Sequence, residues 1–283
     1  MSGHMRLGTE TISRRLVTGA QYVAQLTARE SDRHARAAFR GLVLRIAQPG
    51  ATLFDFGCSP GMDARFYAER GFQVQAYNVD PEQCDEFASE CRDLIAARRV
   101  TLERGTYEDF LARDRSNRGV DLVTANLSRL DLIEDLHELF AAFHELTAPG
   151  GRVLASVLSP YFLGDLGHRW WRRKLPALTR SGHLAEPAEH APDYRRRPAD
   201  FTAQSVPYFD LENVFPGIEG RRVREVEGLR VGSGTRGAWL RLSACRFMFL
   251  LFTRRNTSVS RQRGASSVTS RNPACARADA ARR

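Results

Sequence analysis

Residues 51–61 read Ala-Thr-Leu-Phe-Asp-Phe-Gly-Cys-Ser-Pro-Gly, and their continuation to Cys84 reads MDARFYAERGFQVQAYNVDPEQC. An apolar run from Thr52 to Phe56 predicts a strand, and Gly57-Cys58-Ser59-Pro60-Gly61 a turn. A helical pattern then opens near Met62, with Phe66, Tyr67 and Ala68 on its apolar side. A second apolar stretch, Phe72 to Val79, follows about twenty residues after the first. Strand, glycine-bearing turn, helix and strand make a βα unit of the kind that holds a ligand at the strand's C-terminal end. Gly57 and Gly61 allow close backbone approach. Asp55 at the strand end suits a cationic amino group. A dinucleotide site would space its glycines as G-x-G-x-x-G. Gly-Cys-Ser-Pro-Gly does not.

The stretch FDFGCSPG resembles the first motif of the class I S-adenosylmethionine-dependent methyltransferases, roughly acid-x-Gly-x-Gly-x-Gly, with Ser59 in place of the middle glycine. Further landmarks follow in order. Ala148-Pro149-Gly150-Gly151-Arg152-Val153 is similar to the turn that family places before its fifth strand. In Gly71–Pro81, Asn78 takes the position of the family's ribose-binding acid and Asp80 that of a serine, so Asn78 is preferred on register. Thr106 replaces the acid near the adenine, and Tyr107 would flank the ring. The resemblance runs over about residues 35–253. It implies a Rossmann-like, doubly wound α/β fold with a seven-stranded sheet, an N-terminal helical cap and a substrate lid after strand five.

The resemblance implies S-adenosyl-L-methionine as cofactor and S-adenosyl-L-homocysteine as product. Its cofactor-binding positions are Asp55, Phe56, Gly57, Cys58, Ser59, Gly61, Asn78, Val79, Asp80, Thr106, Tyr107, Asn126 and Leu127. Cys58 would line the pocket rather than act as a nucleophile. The implied function is methyl transfer to oxygen or nitrogen of a small-molecule acceptor. Acceptor-side candidates are Tyr22 in the cap and Phe162, Trp170 and Trp171 in the lid, and Arg36 is a further pocket contributor from the cap. His168 and His183, with His190 nearby, are the neutral-range bases available to deprotonate a hydroxyl. Three softened positions, Ser59, Asn78 and Thr106, favour as the alternative a non-catalytic binding module of the same fold.

Before the first strand, residues 11–47 carry two helical patterns separated by TARESDRHAR. Later strands are predicted at Val100–Leu102, Val120–Leu127, Arg152–Leu158, 220–231 and 245–253, with helices at Glu82–Ala97 and 131–147. The alternation of strand and helix supports a doubly wound sheet. Residues 161–207, rich in Pro, His, Arg and aromatics, lack a clear period and are expected to form the lid. The expected organisation is a vector-derived remnant at 1–5, a cap at 6–48, a methyltransferase domain at 49–253 and a disordered basic tail at 254–283.

The formal net charge is +9, but residues 254–283 hold eight arginines against one acid, so the preceding 253 residues carry only +2. The basic balance is therefore weak support for nucleic acid. A nucleic-acid or protein methyltransferase using the tail remains a second alternative. Five cysteines show no paired spacing, which predicts neither a metal site nor a disulfide framework. The apolar run around RFMFLLF is too short to span a bilayer. A cytoplasmic protein, monomeric or homodimeric, is the expectation.

Overall fold

The computed structural model describes residues 30–114, 119–163, 183–186, 193–217, 229–230 and 245–256. Helix α1 (Glu30–Ile46) leads into β1 (Thr52–Phe56), α2 (Met62–Ala68) and β2 (Gln73–Asn78). Next come α3 (Pro81–Glu90), α4 (Arg92–Ala96), β3 (Val100–Arg104), α5 (Tyr107–Ala112) and β4 (Val120–Ala125). A 3₁₀ turn (Arg129–Leu132) precedes α6 (Leu136–Leu146) and β5 (Thr147–Leu158). Beyond it lie β6 (His183–Glu186), β7 (Asp193–Arg196), α7 (Pro198–Ser205), β8 (Phe209–Pro216), β9 (Leu229–Arg230) and β10 (Phe247–Arg254).

The main sheet runs β3-β2-β1-β4-β5-β10-β8, with the two-residue β9 at its edge, and β6 and β7 form a separate hairpin. Strands β1 to β5 are parallel, and β10 lies antiparallel between β5 and β8. The seven full strands match the predicted sheet. Strand order reverses between β1 and β4, which opens a crevice at their C-terminal ends.

Period-two alternation in β1 splits the core. Phe54 and Phe56 join the cluster packed with α5, α6 and α7, whereas Leu53 joins the cluster of α1, α2 and α3. Asp55 therefore falls on the α1–α2 side of the sheet. On the opposite side Phe110 sits 4.6 Å from the Tyr77 ring and 5.1 Å from that of Phe56, ring centroid to centroid. These rings lie beneath the turn that carries Thr106 and Tyr107. Thr106 caps α5 reciprocally with Asp109, and the Tyr77 hydroxyl donates to the Thr106 carbonyl at 2.7 Å.

Three expectations need correction. The strand beside β10 is β8, not 220–231, of which only Leu229–Arg230 is described, paired to β8. Phe209 and Leu211 alternate and Val214 resumes the buried face after a register shift, but the prolines before β8 obscured the signal. The helix expected over Glu82–Ala97 is two, because the backbone leaves helical geometry at Cys91 (φ −102°, ψ 18°). The stretch 161–207 is not one irregular loop, since it contains the β6–β7 hairpin and α7. Arg196 donates to the carbonyls of Ile133 and Glu134 at 2.7 and 2.8 Å, tying the hairpin to the segment after β4. Tyr22, His168, His190, Trp170, Trp171 and the tail beyond 256 lie outside the described residues. No helix among the described residues is long and apolar enough to cross a membrane.

Phe110 is fully buried among four aromatic rings. Truncating it to alanine is expected to cost about 3–5 kcal/mol. Urea unfolding should show a lower midpoint at unchanged slope.

Candidate cofactor site at the topological switch point

Burial and hydrogen bonding shape the glycine turn after β1. Gly57 and Gly61 take left-handed φ values of 69° and 97°, which favour residues without a β-carbon. The amides of Gly57 and Cys58 both donate to the Tyr77 carbonyl, at 2.9 and 3.0 Å, which clamps the turn to the end of β2. A β-carbon at Gly61 would meet Cys91 Sγ at 2.9 Å, so the junction of α3 and α4 closes against this turn. Cys58 and Ser59 are buried in it. Burial, then the neighbouring Asp55, pushes the Cys58 thiol well above its usual range, so it is not a ready nucleophile.

Two carboxylates are buried side by side here, each 4% exposed. Asp55 accepts the Thr124 hydroxyl at 3.0 Å, from the residue it faces on β4. Burial, then the charge of Asp63, pushes its carboxyl up to about 7, while the Thr124 bond, Arg36 and Arg129 oppose the shift. Asp63, in the first turn of α2, is compensated more fully. Arg40 Nε donates to its Oδ1 at 2.5 Å, Asn126 Nδ2 to its Oδ2 at 3.2 Å, and Arg36 Nη1 lies 3.6 Å away. Arg36 is 8% exposed, and among the described residues neither of its terminal nitrogens has a hydrogen-bond partner. A buried guanidinium with open donors is a built seat for an anion.

The remaining sequence candidates are placed as follows. Asn78 ends β2 and is buried, but its amide nitrogen donates to the Cys58 carbonyl and, at 3.1 Å, to Gln83 Oε1. Its oxygen accepts the Asp80 amide at 3.1 Å. Both amide protons are committed within the protein, leaving none for a ribose. Asp80 caps α3, its Oδ1 accepting the amides of Glu82 and Gln83, and its Oδ2 makes no bond among the described residues. The Thr106 hydroxyl is engaged by the Asp109 amide at 3.1 Å. The Tyr107 hydroxyl is buried without a partner among the described residues, and burial raises its pKa. Val79 packs at the edge of the aromatic cluster, Leu127 follows Asn126 past β4, and Phe162 is half-buried after β5. Phe56 is core rather than site, stacked on Tyr77 at 5.6 Å. For His183 only the backbone, in β6, is described.

Asp63, Arg40, Thr124 and Arg129 escaped sequence reasoning. Asp63 and Arg40 carry no motif of their own in the sequence, whereas Arg36 was a pocket candidate from the cap. The available signal was that both arginines flank the apolar stripe of Ala35, Phe39 and Val43 on α1.

This glycine turn, carboxylate and switch-point crevice on a 3-2-1-4-5-10-8 sheet define a class I methyltransferase fold. Residues 31–198 match the model of a family described as a methyltransferase domain, and the chain belongs to that family. Among curated proteins, it is 27% identical over 124 residues to malonyl-[acyl-carrier protein] O-methyltransferase of Serratia marcescens, covering 44% of this chain and 45% of that one. It is 28% identical over 139 residues to the ubiquinone biosynthesis O-methyltransferase of Xanthomonas campestris, covering 48% and 56%. The chain thus spans about half the length of these curated relatives.

Among solved structures, a putative methyltransferase of Haloferax volcanii, in complex with the Trm112 activator, superposes with a TM-score of 0.56 at 16% identity. That match covers 87% of this chain and 98% of that one. An S-adenosylmethionine-dependent methyltransferase of Mesorhizobium loti gives 0.52 at 17%, covering 81% and 100%. At such identities the likeness is one of fold.

Because the carboxyl of Asp55 titrates higher in the fold than in the unfolded chain, folding favours its protonated form. The cost of its charge is absent near pH 4 and grows to full size above pH 7. Asp55→Asn, which keeps an acceptor for Thr124, should raise the melting temperature by several degrees at pH 8. The gain should vanish near pH 4 in a calorimetric series.

Proposed function

We propose that the chain is an S-adenosylmethionine-dependent methyltransferase acting on a small-molecule acceptor. The observation that carries this reading is the pairing, around one glycine turn, of an under-compensated buried carboxylate, Asp55, with a buried guanidinium whose donors are open, Arg36. That pair suits a zwitterionic amino acid, the methionyl end of the cofactor. Asp55 would hold the ammonium and Arg36 the carboxylate, while Gly57 and Gly61 leave the backbone bare for close approach. Asp63 and Arg40 keep Arg36 in place. At the nucleoside end Asp80, with Oδ2 unbonded among the described residues, is a better ribose contact than Asn78. Tyr107 would bring its unpartnered hydroxyl and ring to the adenine side. When bound, the cofactor supplies a methyl group on a sulfonium, an activated donor with a neutral leaving group.

The protein's remaining tasks are to align the acceptor and exclude water. Segment 161–207, whose β7 is fastened through Arg196, would supply the lid. The curated relatives, a malonyl-[acyl-carrier protein] O-methyltransferase and a ubiquinone biosynthesis O-methyltransferase, support transfer to oxygen. The internal commitment of Asn78 favours a second reading, a binding module that holds cofactor without turning over.

Isothermal titration with S-adenosylmethionine and S-adenosylhomocysteine tests the cofactor assignment. Both should bind, and Asp55→Ala and Arg36→Gln should each weaken binding by roughly ten- to a hundredfold, as for a lost hydrogen bond to a charged group. Because the ammonium requires a charged Asp55, affinity should fall about tenfold per pH unit below pH 7, with proton release on binding. Absence of binding at pH 8 would defeat the reading. Tight binding with no transfer to any acceptor would move it to the binding module.

A further inference from the structure

At the end of β2 a relay of hydrogen bonds fixes the orientation of each polar group in turn. The Asp80 amide donates to Asn78 Oδ1 at 3.1 Å, which identifies the other end of that side chain as its nitrogen. Asn78 Nδ2 spends its two protons on the Cys58 carbonyl and, at 3.1 Å, on Gln83. The Gln83 atom that accepts must be Oε1, so Nε2 is turned away from Asn78. Gln83 occupies the third position of α3, from which a glutamine ordinarily reaches back to the amide of the capping residue. Here Asn78 already holds that amide, and Gln83 is released from the role. It is fully buried, and among the described residues its Nε2 has no hydrogen-bond partner. Two buried N–H donors without an acceptor are costly in a fold that pairs nearly all such groups. The capping residue beside it offers the opposite polarity. Asp80 Oδ1 accepts the amides of Glu82 and Gln83, at 2.9 and 3.1 Å, and Oδ2 makes no bond among the described residues.

An open donor and an open acceptor thus flank the start of α3, joined through Asn78 to the glycine turn. Resting on the methyl-transfer reading, the nucleoside end of the cofactor falls at this place. Its ribose carries two adjacent hydroxyls, each able to donate or accept. We propose that Gln83 is a cofactor-binding residue and that the ribose is read asymmetrically, one hydroxyl donating to Asp80 Oδ2 and its neighbour accepting from Gln83 Nε2. A single carboxylate at position 78, the pattern from which this chain departs, would accept from both hydroxyls. Asn78 instead orients Gln83. The exchange of acid for amide therefore moves the ribose contacts into the first turn of α3 rather than abolishing them.

The test titrates the full chain calorimetrically at pH 8 with S-adenosylhomocysteine and with its 2′-deoxy and 3′-deoxy ribose analogues. In the wild type each missing hydroxyl should weaken binding, by roughly tenfold for the one on Gln83 and by more for the one on the carboxylate. Gln83→Met, close to glutamine in volume but without donors, should weaken S-adenosylhomocysteine by that tenfold and erase the penalty for one missing hydroxyl only. Asp80→Ser, which still caps α3 but is too short to reach the ribose, should erase the other only. A Gln83→Met protein that keeps both penalties would overturn the proposal, since Nε2 would then serve a buried water or the fold alone. So would an Asp80→Ser protein that loses both penalties or neither, and this arm decides if Gln83→Met does not fold. Failure of the wild type to bind S-adenosylhomocysteine at all would instead remove the methyl-transfer reading, and this inference with it.

Discussion

The interaction on which the site depends is the ionic bond from α1 to the start of α2. Arg40 and Arg36 reach Asp63, a carboxylate that would be prohibitively costly to bury alone. That bond docks the first helix over the switch point and keeps a second guanidinium beside Asp55. It also brings Asn126, just past β4, into the same network, so the two halves of the doubly wound sheet are joined through one side chain. Remove the charge on Asp63 and the buried Arg36 and the part-buried Arg40 lose their counter-ion.

Asp55 is the complementary half of this design. Its neighbours leave it under-compensated, and burial, then the charge of Asp63, raises its pKa. A structural carboxylate is normally paired or hydrogen-bonded until its pKa falls. One held in the opposite state, in a crevice at the end of a sheet, stores unfavourable energy that a cationic ligand would release. Arg36, with open donors, is poised in the opposite sense. The two together describe a zwitterion.

Around this centre most other polar residues are structural. Asn78 closes the glycine turn to β2 and α3, Asp80 and Thr106 cap helices, and Arg196 fastens the β6–β7 hairpin to the loop after β4. The three positions where the sequence departs from the family's pattern have different weights. Ser59 is buried within the turn. Thr106 exchanges an acid for a cap that fixes α5, and Asn78 exchanges a free carboxylate for a latch.

The residues alone determined the layout. TLFDF followed by two glycines, the returning apolar stretch QVQAYN and the APGG turn are local signals, because strand alternation and left-handed glycines are legible over a few residues. Asp55, Gly57 and Gly61 were found for that reason. What only the tertiary structure decided is which polar groups are already spent. Asn78 faces Gln83 and Cys58, Asp63 faces two arginines 23 and 27 residues before it in the chain, and Arg129 folds back over Gly57. A side chain's partners, and hence whether it is free for a ligand, depend on contacts between residues far apart in the chain. β8 was hidden for a related reason, since a strand that finds its pairing only when β10 closes the sheet carries a weak signal of its own.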